Sequence, residues 1–257
     1  MAEPMPRTIL ITGCNRGIGL ELVKQFLVKP TPPEQIFATC RNPDAPQSQE
    51  LRKLATKHPN LVLIKLEVTD PTSIWKAAKE VEKQLKGCGL NLLINNAGIM
   101  TESTLESVDE KDLLHVYTTN VVGPMLVTKA FLSLLKKAAQ AVPQAEMSWH
   151  KAALINISSI TSSIDKAIET FSLFPVLSYR CSKAALNMLT RCQSVVYKED
   201  GILCTAIHPG WVKTDLGGPQ AQLTVDESVH GVLKVLCALS KKHNGILVDW
   251  EGNTIPW

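Results

Sequence analysis

No segment of this chain reaches the ~18 consecutive apolar residues that a membrane helix needs. The chain also has no CxxC pair, and its seven cysteines, at 14, 40, 88, 181, 192, 204 and 237, are odd in number. That argues against a disulfide framework. No Cys/His cluster has ligand spacing, so no metal site is expected. Several cysteines lie in apolar runs, as in "IFATC" and "ILCTAIH", and read as buried free thiols in a reducing compartment. An excess of one charge is missing too: 27 Lys+Arg against 24 Asp+Glu leave +3. So small and even a balance argues against nucleic acid or a membrane surface as partner. There are no internal repeats and no low-complexity tract. The opening "MAEPMPRTILITG" has a short apolar run that passes straight into a glycine-rich turn. It is not expected to be a secretion signal, and a cytoplasmic location is expected.

What is present is an alternation. Short runs rich in Ile, Leu and Val occur at 8–12, 35–40, 61–68, 90–96, 152–158, 201–208 and 245–249. Runs of this kind suit strands buried on both faces. Between them, 18–29, 72–86, 111–138, 178–197 and 227–240 carry apolar residues at three- and four-residue spacing, the mark of helices. "TDPTS" supplies a start signal for the second of these. With 257 residues and no domain boundary, the pattern predicts one α/β domain spanning 1–257. Its architecture is expected to be a Rossmann-type, doubly wound parallel sheet with helices on both faces. Residues 160–177 and 210–226 are irregular and are expected at the sheet edge where ligands bind.

The first strand ends in "TGCNRGIG", with Gly13, Gly17 and Gly19. Glycines between a strand and a helix let the backbone approach a pyrophosphate, while the helix start offers free N–H groups and a positive dipole end. An NAD site tends to carry an acid about 20 positions on. Here the second strand ends in "ATCRN", with Arg41 22 residues after Gly19, and Arg16 stands inside the glycine turn. Two guanidiniums suit a 2′-phosphate, so NADP(H) is the expected cofactor.

"SYRCSK" then places Tyr179 and Lys183 one helical turn apart, on one face. Together with "NNAG" at 95–98 and "HPGWVKT" at 208–214, these motifs resemble those of the short-chain dehydrogenase/reductase family, in order and over nearly the whole chain. "YRCSKAALNM" and the ending "GNTIPW" are most similar to the sniffer- and C-factor-like carbonyl reductases of that family. The resemblance implies cofactor contacts at Gly13, Asn15, Arg16, Gly17, Ile18, Gly19, Arg41, Glu67, Val68, Asn96, Ala97, Gly98, Tyr179, Lys183, Pro209, Gly210, Val212 and Thr214. "LEVTD" puts Glu67 where family members carry aspartate, facing adenine. The catalytic residues implied are Asn120, Ser159, Tyr179 and Lys183.

Reducing a carbonyl takes a hydride, a proton and stabilisation of charge on oxygen. Tyr179 is the natural proton donor, and a neighbouring ammonium together with a cationic nicotinamide would lower its pKa from ~10. Ser159, ending "NISS", would hold the substrate oxygen; Ser158, Ser162 and Ser163 are weaker candidates. Asn120, by the resemblance, would fix a water beside Lys183. Ser159 lies 20 residues before Tyr179, a longer gap than is usual in the family, and the extra length falls near the substrate mouth. Phe171, Phe174 and Trp211 stand equally as pocket lining or core, and His208 reads as packing. The expected partners are a small-molecule carbonyl substrate and a second copy of the chain, and the resemblance implies that the homodimer forms through helices 111–138 and 178–197. An NAD-dependent alcohol dehydrogenase and a non-catalytic NADP(H)-binding regulator are the alternatives. A sugar-nucleotide epimerase would need more chain after Thr214.

Overall fold

Because buried strands must pair every backbone group, the seven apolar runs assemble side by side. The computed structural model describes residues 5–257. In chain order the elements are β1 (Thr8–Thr12), α1 (Gly17–Leu27), β2 (Gln35–Cys40), α2 (Gln49–Lys57), β3 (Leu61–Lys65), α3 (Pro71–Leu85), β4 (Leu92–Asn95), α4 (Glu110–Tyr117), α5 (Gly123–Ala141), β5 (Ala153–Ile157), α6 (Ala167–Phe171), α7 (Leu177–Val196), β6 (Leu203–His208), α8 (Val225–Ala238), β7 (Leu247–Asp249) and β8 (Thr254–Ile255). They form one sheet in the order β3-β2-β1-β4-β5-β6-β7-β8. Every pairing is parallel except β7 with β8. The order reverses between β1 and β4, and a crevice opens there at the strand ends.

Alternate strand residues feed two cores, as the two-residue period requires. Ile9, Ile11, Ile36 and Ile155 pack with Leu22, Val23 and Phe26 of α1 and Val232 and Leu236 of α8. Leu10, Phe37, Leu93 and Leu154 pack on the other face with Val81 of α3 and Phe131 and Leu135 of α5. The expected doubly wound architecture is what the structure has.

Several boundaries differ for physical reasons. β6 and β7 start later than the apolar runs, after Gly201 and Gly245, both at positive φ. α2 is not among the expected helices: "QELRKLATK" is mostly polar and buries only Leu51. The two-residue β8 leaves no readable pattern. The expected helix 111–138 is a helical run from Glu110 to Ala141, widened by a π turn at Thr118–Val122. Pro124 has no N–H to offer the carbonyl of Asn120 four residues earlier, which explains the widening. This run of 32 residues is the one helix, among the described residues, long and apolar enough by length and composition to cross a membrane. Over half of its most apolar window, 56%, is buried inside the protein, as a core helix would be.

α7 departs furthest from its expected character. Its buried face is polar: Ser178, Tyr179, Arg180, Ser182, Lys183, Asn187, Thr190, Gln193 and Ser194, with Leu186. Met188, Val195 and Val196 point outward.

Candidate active site

The glycine turn is clamped from below. Asn96 Nδ2 donates to the carbonyls of Thr12 (2.8 Å) and Gly13 (3.2 Å), and the amides of Asn96 and Ala97 both donate to Thr12 Oγ1 at 3.0 Å. A Cβ on Gly19 would sit 2.3 Å from the carbonyl of Gly13, so no other residue fits. Gly13 takes φ +72°, a left-handed conformation that favours glycine. Asn15, Arg16 and Ile18 lie in or beside this turn. α1 begins without a side-chain cap and with no acid in its first turn, leaving the positive end of its dipole open. Here the residues present fit an anionic dinucleotide phosphate. Within "NNAG", Asn95 turns away into the core, donating to Asn156 Oδ1 at 2.9 Å and Thr128 Oγ1 at 3.2 Å.

Both candidate 2′-phosphate arginines are exposed and each faces a carboxylate. Arg16 pairs with Asp215 at 2.6 Å, and Arg41 Nε lies 3.8 Å from Glu67. Glu67 also accepts from the amide and hydroxyl of Thr69. Val68, just beyond β3, is buried, and its carbonyl lies 2.9 Å from where a Cβ on Gly123 would be. Across the crevice Gly210 is at φ +85°, Val212 is buried, and the carbonyl of Pro209 accepts from Ser228 at 2.6 Å. Thr214 stands over Gly17, its methyl 3.4 Å from the place of a Cβ there. The 208–214 segment thus stands beside the glycine turn, as one wall of the expected ligand crevice.

Tyr179 and Lys183 are buried in the first two turns of α7. Lys183 Nζ donates to the carbonyl of Ile157 at 2.7 Å and lies 5.5 Å from the centre of the tyrosine ring. A Cβ on Gly98 would sit 3.5 Å from that nitrogen, which ties the end of "NNAG" to the pair. Burial pushes Lys183 down to about 8. Burial pushes Tyr179 up to about 12, opposed in part by the hydroxyl of Ser159, which reaches the phenol. The lysine-driven lowering of the phenol expected from sequence is therefore not found in the protein alone. Desolvation is the larger cause and the Ser159 hydroxyl the one opposing it, so Tyr179 is a protonated phenol at neutral pH.

Ser159, at the tip of β5, contacts the hydroxyl of Thr161 at 2.9 Å and accepts from its amide at 3.2 Å. Ser158 is spoken for by Asn187, to which it donates at 2.6 Å. Ser162 donates to the carbonyl of Ser159 and accepts from Asn187, and Ser163 donates to the carbonyl of Pro256. Of the four serines, Ser159 is the one that acts on Tyr179. Asn120, in the π turn, accepts from the amide of Ile99 and donates to its carbonyl and to Ser182. None of these partners is Lys183.

Phe174 and Trp211 meet edge to face at 5.0 Å, Phe171 lies under Arg180 at 5.3 Å, and none of the three is core. His208 is pushed down to about 4 by burial and stays neutral, so it is no general acid here. None of the seven cysteines is in a disulfide; Cys14, Cys40 and Cys204 are buried as expected, but Cys88, Cys181 and Cys192 are exposed. The latter two ride the outward side of α7. Sequence reasoning misses Arg180, Asn187 and Asp215. Asn187 carries a usable signal, since it stands two helical turns from Tyr179 on the same face; the other two leave none nearby.

The chain is similar to known proteins in sequence and in fold. The short chain dehydrogenase family matches residues 7–223. An NADPH-bound carbonyl reductase from chicken fatty liver superposes with a TM-score of 0.96 at 55% identity, covering 100% of this chain and 96% of that one. The carbonyl reductase Sniffer of D. melanogaster gives 0.94 at 40% identity, over 98% and 100%. The C-signal protein of Myxococcus xanthus is 35% identical over 169 residues, 65% of this chain and 93% of its own length.

The buried ammonium has a stability consequence. Its pKa falls from 10.5 to about 8, so the folded state holds the charged form at a cost. Lys183→Met removes that cost while stranding one carbonyl, and urea unfolding at pH 7 is expected to show a gain on the order of 1–2 kcal/mol. A loss of stability would mean that the ammonium is better solvated than its burial implies.

Proposed function

This chain belongs to the short chain dehydrogenase family, and we propose that within it the protein is an NADPH-dependent carbonyl reductase acting on a ketone or aldehyde. The observation that carries the proposal is the phenol of Tyr179, held protonated beside Ser159 and a buried Lys183. NADPH, when bound, supplies the hydride. The remaining requirements fall to side chains. Ser159 donates a hydrogen bond to the carbonyl oxygen and stabilises charge developing there. Tyr179 gives its Oη proton to the same oxygen, completing the alcohol. Lys183, beside the ring, stabilises the phenolate left behind. Asn120 enters by holding the backbone of Ile99 near this group.

The glycine turn and the open start of α1 suit the pyrophosphate, and Arg16 and Arg41 suit the 2′-phosphate. To take it they must exchange Asp215 and Glu67 for it, which exposed ion pairs worth ~1 kcal/mol or less allow. The carbonyl reductase from chicken fatty liver is NADPH-bound, which supports the same choice. We propose a homodimer as well. Leu113, Leu114 and Tyr117 of α4, Met125 of α5 and Met188, Val195 and Val196 of α7 are exposed on the two helical faces expected to pair. Seven cysteines without a disulfide support a reducing, cytoplasmic location.

Tyr179→Phe is expected to lower turnover of ketones and aldehydes by about 10²–10⁴-fold while NADPH still binds, read by its quenching of tryptophan fluorescence. Full activity would assign the proton to another group, and binding without turnover across ketones, diketones, quinones and aldehydes would make the protein a sensor. Arg41→Ala should weaken NADPH by about tenfold and NADH by less than about twofold; equal wild-type affinities for the two would end the NADP assignment. In sedimentation equilibrium the species should have twice the chain's mass, and a single-chain mass would end the dimer.

A further inference from the structure

Arg180 is in an expensive place. It is buried, with 7% of its surface exposed, and it sits in the first turn of α7, at the positive end of the helix dipole. No carboxylate pairs with it among the described residues, and burial lowers its pKa. A cation so placed needs other compensation.

All of that compensation comes from one segment. Arg180 Nε donates to the carbonyl of Phe174 at 2.7 Å, Nη1 to the carbonyl of Thr161 at 3.3 Å, and Nη2 to Thr170 Oγ1 at 2.9 Å. The guanidinium also lies 5.3 Å from the ring centre of Phe171. The segment has little else to hold it. α6 buries no residue, and Ile164, Ile168 and Leu173 face outward. Its near end is tied to the chain terminus: Ser163 donates to the carbonyl of Pro256, and the amide of Asp165 to that of Trp257. Its far end rests through Phe174 on Trp211. It therefore spans from beside Ser159 to the 208–214 wall, with Arg180 directly after Tyr179 in the chain.

We propose that Arg180 is a positioning residue for substrate: it pins residues 161–174 as a fixed wall of the mouth above Tyr179 and so sets the affinity for bulky carbonyl compounds. This rests on reading Tyr179 as the proton donor. A wall whose middle is held chiefly by Arg180 loses its order when that anchor goes, and each bulky substrate must then restore that order on binding. A small aldehyde that does not reach the wall is spared.

The test compares wild type, Arg180→Ala, Arg180→Lys and Thr170→Val by deuterium exchange, NADPH titration and steady-state kinetics. In Arg180→Ala, exchange within 161–174 should quicken by about tenfold or more while NADPH affinity stays within about twofold. KM for a bulky aromatic ketone should rise about tenfold, KM for a small aldehyde less than about twofold, and kcat should change less than about threefold. Arg180→Lys, which reaches one acceptor instead of three, should fall between. Unchanged exchange and KM, or NADPH affinity lost in parallel, overturns the proposal. Should Arg180→Ala not fold, Thr170→Val carries the test: exchange in 161–174 should quicken by about threefold, and no change overturns it. If wild type turns over no carbonyl compound, the reductase reading fails, while the exchange data still decide whether Arg180 holds the wall.

Discussion

Everything at the candidate reacting centre hangs on the hydrogen bonds between the inner face of α7 and the end of β5. A surface helix ordinarily turns an apolar stripe to its sheet. Here Lys183 reaches the carbonyl of Ile157, Asn187 bonds Ser158 and Ser162, and Thr190 and Gln193 accept from Asn156. Dispersion forces would let such a helix slide by fractions of an ångström. Directional bonds do not, and a half-satisfied polar interface would cost more than an apolar one. The polar face fixes where along β5 the helix sits, and with it the distance from the phenol to Ser159.

Burial at the same interface explains the two opposed pKa shifts. Burial that makes the α7 interface specific also strips water from Tyr179 and Lys183. The phenol is held neutral and the amine is made easier to deprotonate, both from one cause. In water, a lysine holds its proton slightly more tightly than a tyrosine, with values of ~10.4 and ~10. Buried in α7, the amine stands at about 8 and the phenol at about 12, so the order is inverted. Both shifts follow from the loss of water around the two side chains.

The sheet was legible because a strand buried on both faces cannot hide its apolar run: Ile9 to Ile11 and Leu92 to Ile94 announce themselves. The glycine turn was legible because Gly19 meets the carbonyl of Gly13, a demand only one residue type satisfies. What escaped was set by distant partners. Asp215 meets Arg16 across 199 positions, and Arg180 contacts carbonyls whose placement depends on how 160–177 is draped. The position of α7 was legible but its character was not, since side chains that look solvated in sequence find their partners in β5 and the turn after it. α2 escaped for the opposite reason: with one buried residue it owes its helix to local preference more than to burial.

The clamp of Asn96 on Thr12 and Gly13 joins positions 84 and 83 apart along the chain. Such a turn cannot take shape on its own while the chain is still collapsing. Closing a loop of that length comes first, and slow, non-local pairing governs its timing. The phosphate cradle is therefore complete only once β4 has docked beside β1. A chain released before β4 has docked beside β1 has its glycines in place but no floor beneath them.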